Sequence, residues 1–188
     1  MLNGRMVEKN PTELVIDCGG VGYEVKISLN TFSQLGDNEA VKIYTQFIVR
    51  EDAQLLYGFA TKEEREMFNF LISVSGIGPN TAMIMLSSLT PGEVAQAIQT
   101  EDVRTIQSIK GIGAKTAQRV IIDLKGKVLK FSAETENVGS KNNTNRFDAL
   151  TALASLGFDK KAAEKVLDRI DNGQQSVEQL IKEALKLL

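Results

Sequence analysis

The chain has no histidine, no tryptophan, one cysteine (Cys18) and three prolines among its 188 residues. Each scarcity removes a class of chemistry. Without histidine there is no imidazole base, no Ser-His or Cys-His nucleophile pair, and no ordinary catalytic zinc site. Hydrolysis assisted by carboxylate-bound magnesium is what composition leaves open. A lone cysteine rules out an intrachain disulfide. No apolar run approaches the roughly 20 residues needed to span a bilayer. The opening MLNGRMVEKN has charge but no apolar segment behind it, so no secretory signal is expected and a cytoplasmic protein is. The pattern Gly-x-x-x-x-Gly-Lys-Ser/Thr is missing too, so ATP hydrolysis is not expected of this chain.

What is present suffices for real cores: 43% of the residues are apolar. The net charge of −2 conceals a split. Residues 1–61 carry five basic and eight acidic side chains. Residues 105–131 carry Lys110, Lys115, Arg119, Lys125, Lys127 and Lys130 against Asp123 alone. For a phosphate partner the local basic stretch matters more than the sum.

The first part of the chain alternates as half-buried strands do. Gly4 to Glu8, Leu14 to Cys18, Tyr23 to Ile27, Val41 to Val49 and Ala53 to Phe59 predict about five strands, with turns at Asn10-Pro11 and Gly19-Gly20-Val21-Gly22. That number in so short a segment suits a small barrel, with the OB type the leading candidate. The period then changes to helical. Thr61 with Glu64 predicts a capping box, followed by Met67, Phe70, Leu71 and Val74 on one face; Thr90-Pro91-Gly92-Glu93 predicts a second capped start. Residues 132–145 are almost devoid of apolar side chains and read as a flexible linker. Beyond them Phe147, Leu150, Leu153 and Leu156 recur at helical spacing, Gly157 ends that helix, and Ala162 to Ile170 and Ser176 to Leu188 supply two more. The expected fold class is α+β multidomain. Its parts are a five-stranded OB-type barrel (1–61), a helical domain (62–131), the linker (132–145) and a three-helix module (146–188).

The helical domain repeats itself at an offset of 35 residues: Ser73-Val74-Ser75-Gly76-Ile77-Gly78-Pro79-Asn80-Thr81-Ala82 matches Ser108-Ile109-Lys110-Gly111-Ile112-Gly113-Ala114-Lys115-Thr116-Ala117. The glycines permit a sharp turn and close approach of another backbone, and Ile77 and Ile112 can anchor each turn in the core. The next helix starts at once, so its unpaired N–H groups and positive dipole end face outward as an anion site. Thr81 and Thr116 add hydroxyls; Lys110, Lys115 and Arg119 add charge. Contacts of this kind hold DNA without reading its sequence. A single Gly-x-Gly is usually only a tight turn; the second copy, flanked by lysines, shifts the balance. The pattern resembles the helix-hairpin-helix motif of DNA repair proteins. The first copy departs from it, having Asn80 where the second has Lys115.

The run Val49-Arg50-Glu51-Asp52-Ala53-Gln54-Leu55-Leu56-Tyr57-Gly58-Phe59 places two carboxylates together, ordinarily just a solvated turn. With Gly19 to Val25, the two hairpins at 76–81 and 111–116 and the tethered helical end, it follows the order of the RuvA family, which the chain resembles over its whole length. The resemblance implies an OB barrel, a tandem helix-hairpin-helix domain and a mobile C-terminal domain. It implies no catalytic residue, no cofactor and no metal. It also implies a homotetramer, or two tetramers enclosing a four-way junction of DNA, with Glu51 and Asp52 as an acidic pin at the centre. Gly76, Ile77, Gly78, Asn80, Thr81, Lys110, Gly111, Ile112, Gly113, Lys115, Thr116 and Arg119 would form the DNA surface. Leu156, Gly157 and Phe158 would meet the RuvB ATPase, with the RuvC resolvase a further partner and the membrane none. For Phe158 a simple core role competes with this.

Three other readings compete. Helix-hairpin-helix glycosylases carry a catalytic aspartate just beyond the hairpin, as Asp123 stands here. However, the aromatics that a base-flipping pocket needs lie mostly in the strands. A single-strand binder would need a basic barrel face with exposed aromatics, whereas residues 1–61 are acidic. An adaptor without DNA leaves the basic repeat unexplained.

Overall fold

Alternating side chains at the start of the chain do form strands: β1 Leu2–Asn10, β2 Glu13–Asp17, β3 Gly22–Ile27, β4 Ala40–Val49 and β5 Gln54–Phe59. The computed structural model describes residues 1–36, 38–136, 141–171 and 175–187. The strands close into a barrel in the order β1-β2-β3-β5-β4, with β4 returning to β1. All pairs are antiparallel except β3 with β5. Every second residue points inward, so Leu14, Ile16, Val25, Ile27, Val41 and Ile43 make the core. Gly58 is buried where β5 meets β3: a Cβ there would lie 2.5 Å from Val25 Cγ1. Beyond the register pair Gln46–Tyr57, β4 and β5 run on as a two-stranded ribbon through Phe47–Leu56, Ile48–Leu55 and Val49–Gln54. Phe47 and Val49 are largely exposed on it.

Between β3 and β4 lies a short helix that the sequence reading did not anticipate, α1 (Leu29–Gln34). It is capped by Ser28, whose Oγ accepts from the Thr31 N–H at 2.9 Å. Asn30, Thr31 and Ser33 are weak helix formers, and six residues give no periodicity to detect.

Five helices follow: α2 Lys62–Ile72, α3 Pro79–Ser88, α4 Pro91–Gln99, α5 Val103–Gln107 and α6 Ala114–Glu136. The box at Thr90 and Glu93 forms, with Pro91 inside the first turn. The box at Thr61 does not. Thr61 accepts from the Glu64 N–H at 3.1 Å, but the Glu64 carboxylate turns into the protein. Phe68, rather than Phe70, is the fully buried aromatic of α2, stacked within 5.1 Å of Tyr57 and 5.0 Å of Phe59. Residues 1–130 form one compact unit, so the barrel and these helices share a body.

The second unit, residues 131–188, holds α7 Lys141–Ser155, α8 Lys160–Ile170 and α9 Val177–Ala184. Ala149, Leu153, Ala163, Leu167, Leu180 and Ala184 form its core. Gly157, at φ +93°, ends α7 in a Schellman turn: the Phe158 N–H reaches the Leu153 carbonyl at 3.2 Å and the Gly157 N–H reaches Ala154 at 3.1 Å. Phe158 packs on the core, whereas Leu156, expected on the apolar stripe, falls past the helix end and is 62% exposed. Ser176 and Gln179 form the capping box of α9. Helical backbone reaches into both ends of the segment expected to be a linker, to Glu136 and from Lys141; 137–140 lie outside the described residues. Among the described residues no helix is long and apolar enough to cross a membrane.

Candidate nucleic-acid interface

Two helical hairpins carry the repeated sequence. The first is α2, a turn through Gly76 and α3; the second is α5, a turn through Gly111 and α6. Their backbones duplicate one another bond for bond. The Ser73 N–H meets the Asn69 carbonyl at 3.2 Å, and Ser108 meets Arg104 at 2.9 Å. Ile77 meets Val74 at 3.0 Å, and Ile112 meets Ile109 at 3.1 Å. Ala82 meets Gly78 at 3.0 Å, and Ala117 meets Gly113 at 2.9 Å. Even the hydroxyls agree, Ser73 Oγ donating to Phe70 and Ser108 Oγ to Thr105, each at 2.7 Å. Gly76 and Gly111 take φ of +97° and +91°, a region that side chains avoid. Ile77 and Ile112 are each 5% exposed and anchor the turns.

The helix starts are arranged as an anion site requires. Gly78 offers no capping side chain to α3, and Pro79 has no N–H. The first ladder bond is made by Ala82, which leaves the N–H groups of Asn80 and Thr81 without intrahelical acceptors. In α6 the same holds for Lys115 and Thr116, because Ala117 makes the first bond to Gly113. Gly76, Gly78, Gly111 and Gly113 are exposed, so a polyanion can approach the amides.

The side chains differ. Lys110 and Lys115 are exposed and have no hydrogen-bond or ion-pair partner among the described residues. Arg119, expected to face DNA, donates from Nη1 to the Ser75 carbonyl of the first turn at 3.4 Å. Lys127 donates to Ser73 Oγ at 3.2 Å, and Lys125 pairs with Glu101. Asn80 accepts from the Tyr57 hydroxyl at 3.5 Å, which ties it to the barrel. Thr116 lies against the first turn: a Cβ on Gly76 would sit 3.6 Å from its Oγ1. Thr81 is half-buried. Thus the sequence foresaw the two turns, while the cross-links between them, 44 and 54 residues apart in the chain, gave no sequence signal.

Glu51 and Asp52 are exposed at the end of the β4–β5 ribbon, in a turn closed by the Arg50 N–H donating to the Ala53 carbonyl at 2.8 Å. Asp123 is exposed on α6. Among the described residues no group of three or more Cys, Asp or Glu is placed to hold a metal ion. The buried residue that the sequence reading misassigned is Glu64. Its Oε1 accepts from Ser28 Oγ and its Oε2 from Thr31 Oγ1 at 2.6 Å. Burial pushes its pKa above the usual glutamate value, with the Ser28 and Thr31 hydroxyls and the Ala60 N–H pulling the other way.

Comparison with known proteins agrees domain by domain. Residues 1–58 match the family described as RuvA N terminal domain, 68–126 the SAM-like helix-hairpin-helix tandem, and 144–188 the RuvA C-terminal domain. Three relatives share the printed description "Holliday junction branch migration complex subunit RuvA". The protein of Christiangramia forsetii is 56% identical over 100% of this chain and 98% of its own. That of Flavobacterium psychrophilum is 54% identical with the same coverage. That of Legionella pneumophila is 43% identical over 100% of this chain and 96% of its own. A closed five-stranded barrel, a duplicated hairpin and a helical C-terminal unit, matched along the whole length, place this chain in the RuvA family.

Proposed function

We propose that this chain binds four-way junction DNA through its backbone and holds it open for a separate ATP-driven motor, taking no chemical step itself. The observation that carries the reading is the bond-for-bond duplication of the two hairpins, each presenting unpaired helix-start amides beside exposed glycines. The relatives' description as subunits of a junction branch-migration complex agrees with it. Amide donors recognise phosphate whatever the base, and Lys110 and Lys115 supply charge. Thr81 and Thr116 stand at the same helix starts. A catalytic role for Asp123 is not favoured, since its side chain lies exposed on the surface of a helix.

The acidic tip gives the preference for a branch. Four copies around a junction, as a homotetramer, would hold four arms on their hairpins and bring four Glu51-Asp52 tips to the centre. A second tetramer would cover the other face. Two like charges about 4 Å apart repel by about 4 kcal/mol at an effective dielectric near 20. A continuous duplex has no open centre to receive the tips, so it is disfavoured by repulsion as well as by fit. The C-terminal unit offers exposed Leu156 beside the Gly157 turn and Phe158 as a docking edge for the RuvB ATPase. RuvC resolvase would share the complex.

A gel-shift titration on a synthetic four-way junction, with linear duplex and single strand as competitors at fixed salt, tests this. Strong preference for the junction is expected; equal binding to junction and duplex would reduce the protein to a general duplex binder. Glu51→Gln with Asp52→Asn should keep junction binding and raise duplex affinity. Equal loss on both substrates would make the pair structural instead.

A further inference from the structure

The helix α1 does not pack on the barrel alone; it reaches into the hairpin domain at two places. At one, Ser28 and Thr31 donate to both oxygens of Glu64, fully buried in the first turn of α2, while the Ala60 N–H donates to Thr31 Oγ1 at 3.0 Å. At the other, Asn30 Nδ2 donates to the carbonyls of Leu86 at 2.5 Å and Leu89 at 3.0 Å, closing the C-terminal end of α3. The Leu29 N–H meets Ser87 Oγ at 3.1 Å beside it. These are carbonyls that a helix end leaves without partners, so Asn30 acts as a cap supplied from another domain. Both helices of the first hairpin are thereby fixed to one short segment of the barrel. Thr31 also meets Ala60, the residue that follows β5, the strand leading from the acidic tip.

We infer that Asn30 and Glu64 are positioning residues for junction discrimination: through α1 they fix the first hairpin at a set distance and angle from the Glu51-Asp52 tip. The inference rests on the proposed function, because it assumes that hairpins hold arms while tips meet the centre. The physical argument is geometric. Hairpins alone grip any duplex backbone. Repulsion by the tip disfavours duplex only if the tip cannot swing away while the hairpins hold. Four hydrogen bonds, all buried or partly so, remove that freedom. The duplicated hairpin shows what is specific to the first copy. Both leading helices have a local cap, Thr61 on α2 and Asp102 on α5. In the second, the side chain three residues on, Thr105 Oγ1, turns back to Asp102 at 2.6 Å, whereas in the first Glu64 reaches α1. The barrel tie belongs to the first hairpin.

The test uses the full chain with Asn30→Ala and, separately, Glu64→Ala and Glu64→Gln. In Glu64→Gln the amide keeps an acceptor for one hydroxyl and places a donor against the other, so it should rescue. Two quantities are read. One is the ratio of junction to duplex affinity, together with the salt slope on duplex. The other is the width of the spin-label distance distribution between Gln54→Cys on β5 and Ile84→Cys on α3, in a Cys18→Ser background diluted with unlabelled chain. Asn30→Ala should leave the salt slope unchanged, broaden the distribution, and raise duplex affinity while junction binding is kept, so that the junction-to-duplex ratio falls by about tenfold, an ordinary size for coupling between sites. If Glu64→Ala fails to fold, Asn30→Ala and Glu64→Gln decide alone. A ratio that stays intact, or one that falls while the width does not change, would overturn the positioning role. A parent chain without any junction preference would sink the functional reading instead, and the width comparison would still decide whether the joint holds the hairpin.

Discussion

The two hairpins have the same backbone and opposite side-chain surroundings. In the first, the side chains and carbonyls near the turn are engaged within the protein: Asn80 with Tyr57, Ser75 with Arg119, Ser73 with Lys127. In the second, Lys110 and Lys115 stand exposed without partners among the described residues. The shared hydrogen bonds show that the turn is specified by glycine, a buried isoleucine and a helix start, and by little else. The side chains are then left for other duties: the first turn is braced, by Arg119 and Lys127 of α6 among others, while Lys110 and Lys115 of the second stay free as charge.

The largest way to break this comparison is to attack what the copies share. Gly76→Val and Gly111→Val each force a side chain into a positive-φ turn, at a cost of about 1–3 kcal/mol. The added Cβ itself meets ordinary contact at Gly76, 3.6 Å from Thr116 Oγ1, and open space at Gly111. Urea unfolding should give similar losses for both; a loss confined to one would mean that the turns are not equivalent.

Next comes the charge difference. Lys110→Ala with Lys115→Ala should weaken binding to every DNA and flatten the slope of log affinity against log salt by about 2, close to one unit per phosphate contact. An unchanged slope would remove both lysines from the interface. A smaller effect should follow from making the first copy like the second: Asn80→Lys should steepen that slope by about 1 and tighten duplex binding several-fold. No change would show that the first turn lies away from phosphate.

The smallest effect concerns the barrel tie. The folded-state pKa of Glu64 is raised by burial, so its contribution to stability is complete below its ordinary value of 4.5 and is lost as pH rises through the raised value. Glu64→Gln lacks this dependence. The stability of the parent relative to the variant, from urea midpoints, should therefore decline as pH rises above the ordinary glutamate range. A difference that stays flat with pH would show that the carboxyl titrates normally.

Strands and hairpins were legible because each writes a period or a repeat into adjacent residues. Leu14, Ile16, Val25 and Ile27 alternate, and Gly76-Ile77-Gly78 recurs as Gly111-Ile112-Gly113. What escaped was set by distant contacts. Glu64 three residues after Thr61 has the spacing of a capping box, yet hydroxyls 36 and 33 residues earlier attract its carboxylate inward. The contact of Arg119 with the Ser75 carbonyl, 44 residues away in sequence, likewise left no trace in the local pattern. Leu156 continues a helical stripe by spacing, but Gly157 turns the chain and leaves it outside. The tip at Glu51 and Asp52 was located by the strand pattern, and its exposure agrees; its action on DNA is a matter for the duplex-affinity measurement.

The ribbon that carries those two carboxylates has a mechanical consequence. It leaves the barrel wall for only three register pairs, a projection of about 10 Å. A beam clamped at one end bends more easily as a steep power of its free length, so a stub this short is stiff. The tip therefore transmits load instead of yielding to it: a strand pressed against the charges must itself move. Lengthening the ribbon by a few residue pairs would keep the charge and lose the stiffness, turning a fixed obstacle into a soft one.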